Sequence, residues 1–402
     1  MRGNCLIAQS GGPTAVINNS LCGILKQALE GNGMGQIYGA KRGIYGMLNG
    51  DYLNLANLPR VTWDNLRFSP GAALGSWRYK LTVEEVSCII EHMRSRDIRY
   101  FFYIGGNGSM QVAYMIEQQA KDMGYDLTVI GVPKTVDNDL TGTDHAPGFG
   151  SAAKFVATCV LDIAMDIRSL PGSKRVTIVE TMGRNAGWLA ASSALAGGCE
   201  SIIPPLIYIP EDPFSTDQFL QDIHVQYGRY GSALAVVSEG IRDHTGRLLA
   251  EESIANDPVG RPQLGGVSTY LSQIVNAETG LQARTVLPSI WQRSGMLFSS
   301  KRDADEAFQA GKAAVQFARA GKTGVMVSLQ RISHHPYKVS YEPVSLQEVA
   351  MRERLFPSEW YDRRTRSVDT PFIEYVTPLI QGEVFVPMNN GLPAYNTISF
   401  SM

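Results

Sequence analysis

Cysteine is scarce in this chain of 402 residues: Cys5, Cys22, Cys88, Cys159 and Cys199 are odd in number and far apart. No CxxC pair exists, which excludes a zinc ribbon and a disulfide framework and leaves the reduced thiols of a cytoplasmic protein as the expectation. Long apolar runs are missing as well. No stretch approaches the roughly 20 apolar residues of a membrane span, and the apolar run within MRGNCLIAQSGG is too short for a secretory signal. No membrane partner is therefore expected. Charge of one sign is also absent, since 36 Lys and Arg stand against 38 Asp and Glu, a net charge of −2. A chain so balanced lacks the cationic surface of a nucleic-acid binder.

What is present is 44% hydrophobic and 18% charged residues, the make-up of a folded rather than a disordered chain. The length suffices for two or three lobes with sizeable cores. Short apolar runs bounded by Gly, Pro or polar residues predict buried strands at 5–9, 100–104, 127–132, 176–180, 206–209 and 234–238. Between them lie helical patterns. Thr82 and Glu85 form a capping box ahead of Val86, Ile89, Ile90 and Met93. Met110, Ala113, Ile116 and Ala120 share a second face, and residues 15–29 form a third helix. Such alternation predicts parallel sheets covered by helices on both faces, with ligands bound beyond the carboxyl ends of the strands. From about residue 333 the character is mixed, and the adjacent pair His334-His335 reads as surface rather than metal-binding.

The strand ends carry the chemistry. Gly11-Gly12-Pro13-Thr14 opens a helix after a strand, and two readings stand level: an anion cradle of backbone N–H groups, or a tight turn that needs glycine. Gly105-Gly106-Asn107-Gly108-Ser109 repeats the arrangement, and it fits neither the dinucleotide fingerprint nor a Walker loop. Gly148-Phe149-Gly150-Ser151-Ala152-Ala153 fits G-x-G-x-x-A, but Asp144-His145-Ala146-Pro147 precedes it instead of a strand, so a dehydrogenase is discounted. Lys134-Thr135-Val136-Asp137-Asn138-Asp139 gathers a cation, a hydroxyl, an amide and two carboxylates at one strand end, more polar groups than a turn needs for its own backbone. Arg175 and Arg184 bracket another strand, and Arg284 and Arg293 flank an apolar segment. Each suits bidentate phosphate recognition, although a lone arginine more often ends in a surface ion pair.

Taken together, QSGGPT, GSWRYK at 75–80, GGNGS at 105–109, PKTVDND at 133–139, ETMGRNAGW at 180–188, SEG at 238–240 and RTVLPSIWQRS at 284–294 resemble the phosphofructokinase family. The GFGSAAK segment and the chain length look most like its pyrophosphate-dependent branch. The resemblance implies an α/β fold of two doubly wound Rossmann-like lobes with parallel-rich sheets and the site in the cleft between them. The donor-binding lobe would cover about 1–140 and regain a segment after about 294. The fructose 6-phosphate lobe would cover 141–293, and a C-terminal extension 333–402.

It also implies roles. Asp137 matches the base that takes the proton of the sugar 1-hydroxyl, and Thr135 holds that hydroxyl. Lys134 and Arg184 match charge-stabilising groups of the transfer. Arg175, Met182, Gly183, Glu239, Arg284 and Arg293 match fructose 6-phosphate contacts, with Arg175 reaching a neighbouring subunit of a dimeric or tetrameric homo-oligomer. Gly11, Gly12, Arg78, Gly106, Gly108 and Ser109 match donor contacts. The cofactor implied is Mg²⁺, near Asn107 and Asp139. Two positions depart from the pattern: Asn107 replaces a metal-linked Asp, and Gly108 stands where pyrophosphate users usually carry Asp. Lys134 favours pyrophosphate as donor and Gly108 favours ATP. The expected reaction is phosphorylation of fructose 6-phosphate to fructose 1,6-bisphosphate by pyrophosphate. The alternatives are the ATP-dependent enzyme and a catalytically weak homologue that senses sugar phosphate or nucleotide.

Overall fold

A computed structural model describes residues 3–31, 33–170, 175–198, 202–256, 260, 262–350 and 352–400. The chain divides into two compact units. The first comprises Met1–Ser151, Arg293–Glu353 and Gln381–Met402, and the second Ala152–Gln292 and Arg354–Ile380.

The first unit is built on a seven-stranded sheet. Its order is Tyr337–Ser345, Val325–His334, Thr128–Pro133, Ile98–Gly105, Gly3–Gln9, Met34–Ala40, Tyr52–Asn54. The five central strands are parallel, and an antiparallel strand closes each edge. Successive side chains of a strand point to opposite faces, and both faces here are apolar. Cys5, Ile7, Phe102 and Ile104 pack into one core with the helices Ile17–Leu29 and Lys301–Arg319. Leu6, Ala8, Phe101 and Tyr103 pack into the other with Val83–Ser95 and Asn107–Asp122. Near-continuous apolar runs are thus the signature of strands buried on both sides. The capping box at Thr82 and Glu85 forms with both of its hydrogen bonds.

Two glycines bring Ile17–Leu29 and Lys301–Arg319 together backbone to backbone. A Cβ on Gly23 would lie 2.0 Å from the Phe308 carbonyl oxygen, and one on Gly311 would lie 2.2 Å from that of Ser20. Sequence periodicity predicts the first of these helices and misses the second. It also misses Phe149–Ser169, whose start overlaps the G-x-G-x-x-A stretch. The N-terminal N–H groups there are satisfied from far along the chain: Asp303 Oδ1 accepts from Gly148 N at 2.8 Å and Asp303 Oδ2 from Ser151 N at 2.9 Å. A cap supplied by tertiary structure leaves no local signature.

The second unit has a four-stranded, wholly parallel sheet in the order Gln282–Val286, Arg175–Thr181, Ala233–Ser238, Leu206–Tyr208. Its core gathers Val176, Ile178, Ala235 and Val237 under the helices Thr216–Tyr230 and Val267–Thr279. Elsewhere in this unit Trp188 is enclosed by Phe356, Trp360, Phe372 and Tyr375, with ring centroids 5.0–6.3 Å away. Residues 333–402 therefore serve both units: 333–353 and 381–402 belong to the first, and 354–380 to the second. His334 ends the exposed tip of a strand. Cys5 and Cys22 are free and buried, and burial pushes the Cys22 thiol up to about 12. Cys199 lies outside the described residues. Among the described residues no helix is long and apolar enough to cross a membrane.

Candidate active site

In the first unit the carboxyl ends of three adjacent parallel strands converge. Gly3–Gln9 runs into Gly11-Gly12, Ile98–Gly105 into Gly106, and Thr128–Pro133 into Lys134. Gly11 has φ +76°, a left-handed conformation that favours glycine. A Cβ there would also lie 3.1 Å from Lys134 Nζ. Gly12 leaves room for Arg293, whose Nη1 would be 2.5 Å from a Cβ at that place, while the Arg293 carbonyl accepts from Ala15 N at 2.6 Å. The turn thus needs glycine, and Lys134 and Arg293 line its bare backbone.

Lys134 is buried, and its ammonium donates to the Gly12 carbonyl at 2.9 Å. Burial lowers its pKa to about 7. Arg293 and Arg78 push the same way, against Asp137 and Asp139. Next in sequence, Thr135 Oγ1 accepts from Asp137 N at 3.1 Å. Asp137 itself is half-buried. Gly106 precedes the helix Asn107–Asp122, and its carbonyl accepts from Ser109 N at 2.9 Å. Gly108 is exposed, with open space where a Cβ would stand.

Asn107 and Asp139 meet. Asn107 Nδ2 donates to Asp139 Oδ2 at 2.7 Å. Asn107 Oδ1 and Asp139 Oδ1 are buried and accept no hydrogen bond. Burial first, then Asp137 and Glu353, raise the Asp139 pKa to about 7. Two orphaned oxygens, one of them on the carboxylate that resists ionisation, are a donor set that a hard, oxygen-preferring cation fits.

The second unit holds the remaining candidates. Arg175–Thr181 ends in Met182-Gly183-Arg184. Met182 N donates to Gln292 Oε1 at 2.9 Å, and Ser238 Oγ to the Gly183 carbonyl at 2.6 Å. Glu239 N donates to the Thr181 carbonyl at 2.9 Å, which draws Glu239 to the same strand end. A Cβ on Gly240 would lie 1.8 Å from the Arg184 carbonyl oxygen, so that residue locks the two loops together. Arg175 and Arg284 are not at this end. Arg175 stands at the other end of its strand, six residues or about 20 Å from Thr181 at about 3.3 Å per residue. Arg284 pairs in register with Thr177, near Arg175.

Sequence reasoning named Asn138 as the amide of the 134–139 cluster without a contact for it, and missed Ser76 and Glu180 as supporting groups. Asn138, at φ +53°, accepts from Ala146 N at 3.0 Å. Ser76 Oγ donates to the Gly11 carbonyl at 2.8 Å. Glu180 accepts from Gly266 N and Ser268 N at 3.2 and 2.8 Å. The partners of Ser76 and Glu180 lie far along the chain, so spacing carries no sign of those contacts.

Known proteins match over nearly the whole chain. The family model described as phosphofructokinase matches residues 4–318. A pyrophosphate–fructose 6-phosphate 1-phosphotransferase of Halomonas elongata is 39% identical, with 97% of this chain and 94% of the relative covered. A sulfofructose kinase of Alkalicoccus urumqiensis is 36% identical, with 89% and 92% covered. The crystal structure of a pyrophosphate-dependent phosphofructokinase from Marinobacter aquaeolei superposes with a TM-score of 0.89 at 36% identity, covering 100% of this chain and 98% of that one. With glycine turns, PKTVDND and MGRNAGW each at a strand end, and this breadth of match, the chain belongs to the phosphofructokinase family.

Proposed function

We propose that the protein transfers a phosphoryl group from pyrophosphate to the 1-hydroxyl of fructose 6-phosphate, yielding fructose 1,6-bisphosphate and orthophosphate. The observation that carries this reading is Lys134, a buried ammonium at the Gly11-Gly12 turn. Burying a cation is costly unless an anion meets it. A compact, highly charged donor does so, and a relative named for pyrophosphate shares most of the chain.

The sugar O1 attacks phosphorus as its bond to the bridging oxygen breaks. The O1 proton passes to the Asp137 carboxylate, and orthophosphate leaves. Thr135 holds the hydroxyl beside Asp137, and the Gly11 and Gly12 amides with Lys134, Arg78, Gly106, Gly108 and Ser109 hold the donor. Such transfer is mostly positioning and charge stabilisation, which fixed N–H groups and cations supply. Met182, Gly183, Glu239 and Arg293 bind the sugar phosphate, Arg284, which lies near Arg175, contacts it from a neighbouring subunit as Arg175 does, and Arg184 steadies the charge of the transferring group. Asn107 Oδ1 and Asp139 Oδ1 would hold Mg²⁺, directly or through water. That ion neutralises phosphate charge when bound.

Arg175 serves a neighbouring subunit, because its own strand end is remote from Gly183, so the working form is a symmetric homo-oligomer in the cytoplasm. The test is kcat/KM at saturating Mg²⁺ with pyrophosphate or ATP, on fructose 6-phosphate and on its 6-sulfonate analogue. A preference for pyrophosphate and for the 6-phosphate is expected. A tenfold preference for ATP, about 1.4 kcal/mol in transition-state binding, or for the sulfonate, overturns the donor or the substrate respectively. No turnover in any arm overturns the reading.

A further inference from the structure

We propose that His145, clamped between Asp144 and Glu306, is a positioning residue that holds the segment 135–148 in the register that aims Asp137 at its proton. This rests on the phosphotransferase reading above.

The ring is wholly buried, with Nδ1 2.8 Å from Asp144 Oδ2 and Nε2 2.7 Å from Glu306 Oε2. A carboxylate at each ring nitrogen demands a donor at each, which only the imidazolium provides. Burial pulls its pKa down, but Glu306 and Asp144 outweigh it and bring it to about 9. The groups facing the ring come from its own segment and three further elements. Asp144 accepts from Arg331 Nη2 at 2.9 Å, and Glu306 Oε1 from the Tyr337 hydroxyl at 2.8 Å. Asp303 sits one turn before Glu306 on the helix Lys301–Arg319. Arg302 and Arg331 both lie 5.1 Å from the Tyr337 ring, and Tyr341 lies within the field of Glu306.

The clamp leads to Asp137 without a gap. The His145 carbonyl accepts from Thr143 Oγ1 at 2.8 Å, and Ala146 N donates to Asn138 Oδ1. The Pro147 carbonyl accepts from Thr135 N at 3.1 Å, and Gly148 N donates to Asp303. Thr135 and Asn138, on either side of Asp137, are thus both tied to residues 146–147. Asn138 adopts a left-handed conformation, at φ +53°, which its hydrogen bond from Ala146 N helps to fix. Apolar side chains of equal volume often stabilise a core as well as a buried ion cluster does. Stability alone therefore does not explain three ionisable groups here. Loss of the proton leaves one ring N–H for two carboxylates and opens one side of the clamp.

The test reads kcat against pH at saturating substrates, together with the imidazole resonances of histidine-labelled protein. In the wild type an imidazole titrates near pH 9 and kcat falls over the same range. Glu306→Gln removes the charge that holds the proton, so both titrations move to lower pH, while kcat drops about tenfold to a hundredfold, the usual consequence of a misplaced group, and KM changes little. Tyr337→Phe frees Glu306 Oε1 from its hydroxyl donor, makes the carboxylate more basic, and moves both titrations to higher pH. His145→Gln abolishes the resonance and the alkaline limb together. Folded variants whose alkaline limb stays at the wild-type pH, or whose kcat is unchanged, overturn the proposal. Opposite shifts in the Gln and Phe variants support it, because general destabilisation moves neither limb in a set direction. A wild type without turnover refutes the phosphotransferase reading instead.

Discussion

Replacing Lys134 by Met separates the two consequences of burying a cation. Met keeps the length and apolar stem and removes the charge. An ammonium whose pKa falls from about 10.4 to about 7 is disfavoured in the folded chain by about 4–5 kcal/mol, at about 1.4 kcal/mol per tenfold change in proton affinity. The variant also loses the hydrogen bond to the Gly12 carbonyl, a loss of about 1–3 kcal/mol for a buried acceptor left unpaired. The net expectation at neutral pH is a gain in stability of about 1–3 kcal/mol. Its pH dependence has a definite sign. The unfolded chain keeps the lysine proton up to about pH 10.4 and the folded chain only to about 7, so between these values the unfolded chain binds more protons. Wild-type stability therefore rises with pH across that window, and the margin of the Met variant shrinks by about 3 kcal/mol between about pH 7 and about pH 9.5. Melting temperatures of both proteins across this range measure it.

Pyrophosphate beside Lys134 raises its pKa again, so binding near pH 7 takes up about half a proton more in the wild type than in the variant. Calorimetric titration in buffers of different ionisation enthalpy counts that proton. Phosphorylation by pyrophosphate falls at least about a hundredfold, the usual loss of one donor to developing charge. A Met variant less stable than wild type at every pH, with a constant gap, would refute the desolvation argument. Unchanged proton uptake would detach Lys134 from the donor.

Three further outcomes follow from the site. Asp137→Asn keeps the shape but accepts no proton, so turnover falls about 10²–10⁴-fold while calorimetry finds fructose 6-phosphate binding retained; near-normal turnover removes Asp137 from the mechanism. Mixed oligomers of Arg175→Ala and Asp137→Asn subunits recover part of the lost activity, because one site in each hybrid has both groups; hybrids shown to form without recovery would confine Arg175 to its own subunit. In Gly240→Ala the new methyl meets the Arg184 carbonyl carbon and oxygen at 2.5 and 1.8 Å, and the backbone must move. Such overpacking costs about 1–3 kcal/mol and displaces Arg184 and Gly183, so a lower melting temperature and a raised KM for fructose 6-phosphate are expected, and neither changing would show that the loops adjust freely.

Much of the framework is legible in the residue order because it is local. Strands buried on both faces must be apolar at nearly every position, so the runs at 5–9, 100–104 and 127–132 announce Gly3–Gln9, Ile98–Gly105 and Thr128–Pro133 to within two residues. The Thr82–Glu85 capping box fixes a helix start in four residues. Glycine, lysine and carboxylate residues after those strands mark the candidate site, since parallel strands place their carboxyl ends side by side. What the order of residues left open depends on groups distant in sequence. Asp303 caps a helix that begins at Phe149, and Gly23 and Gly311 admit each other's helix backbones. The pKa of Lys134 depends on burial and on Arg293, and the charge of His145 on Glu306. Electrostatics and packing act through space, so the ionisation states were decided only when the strands and helices came together.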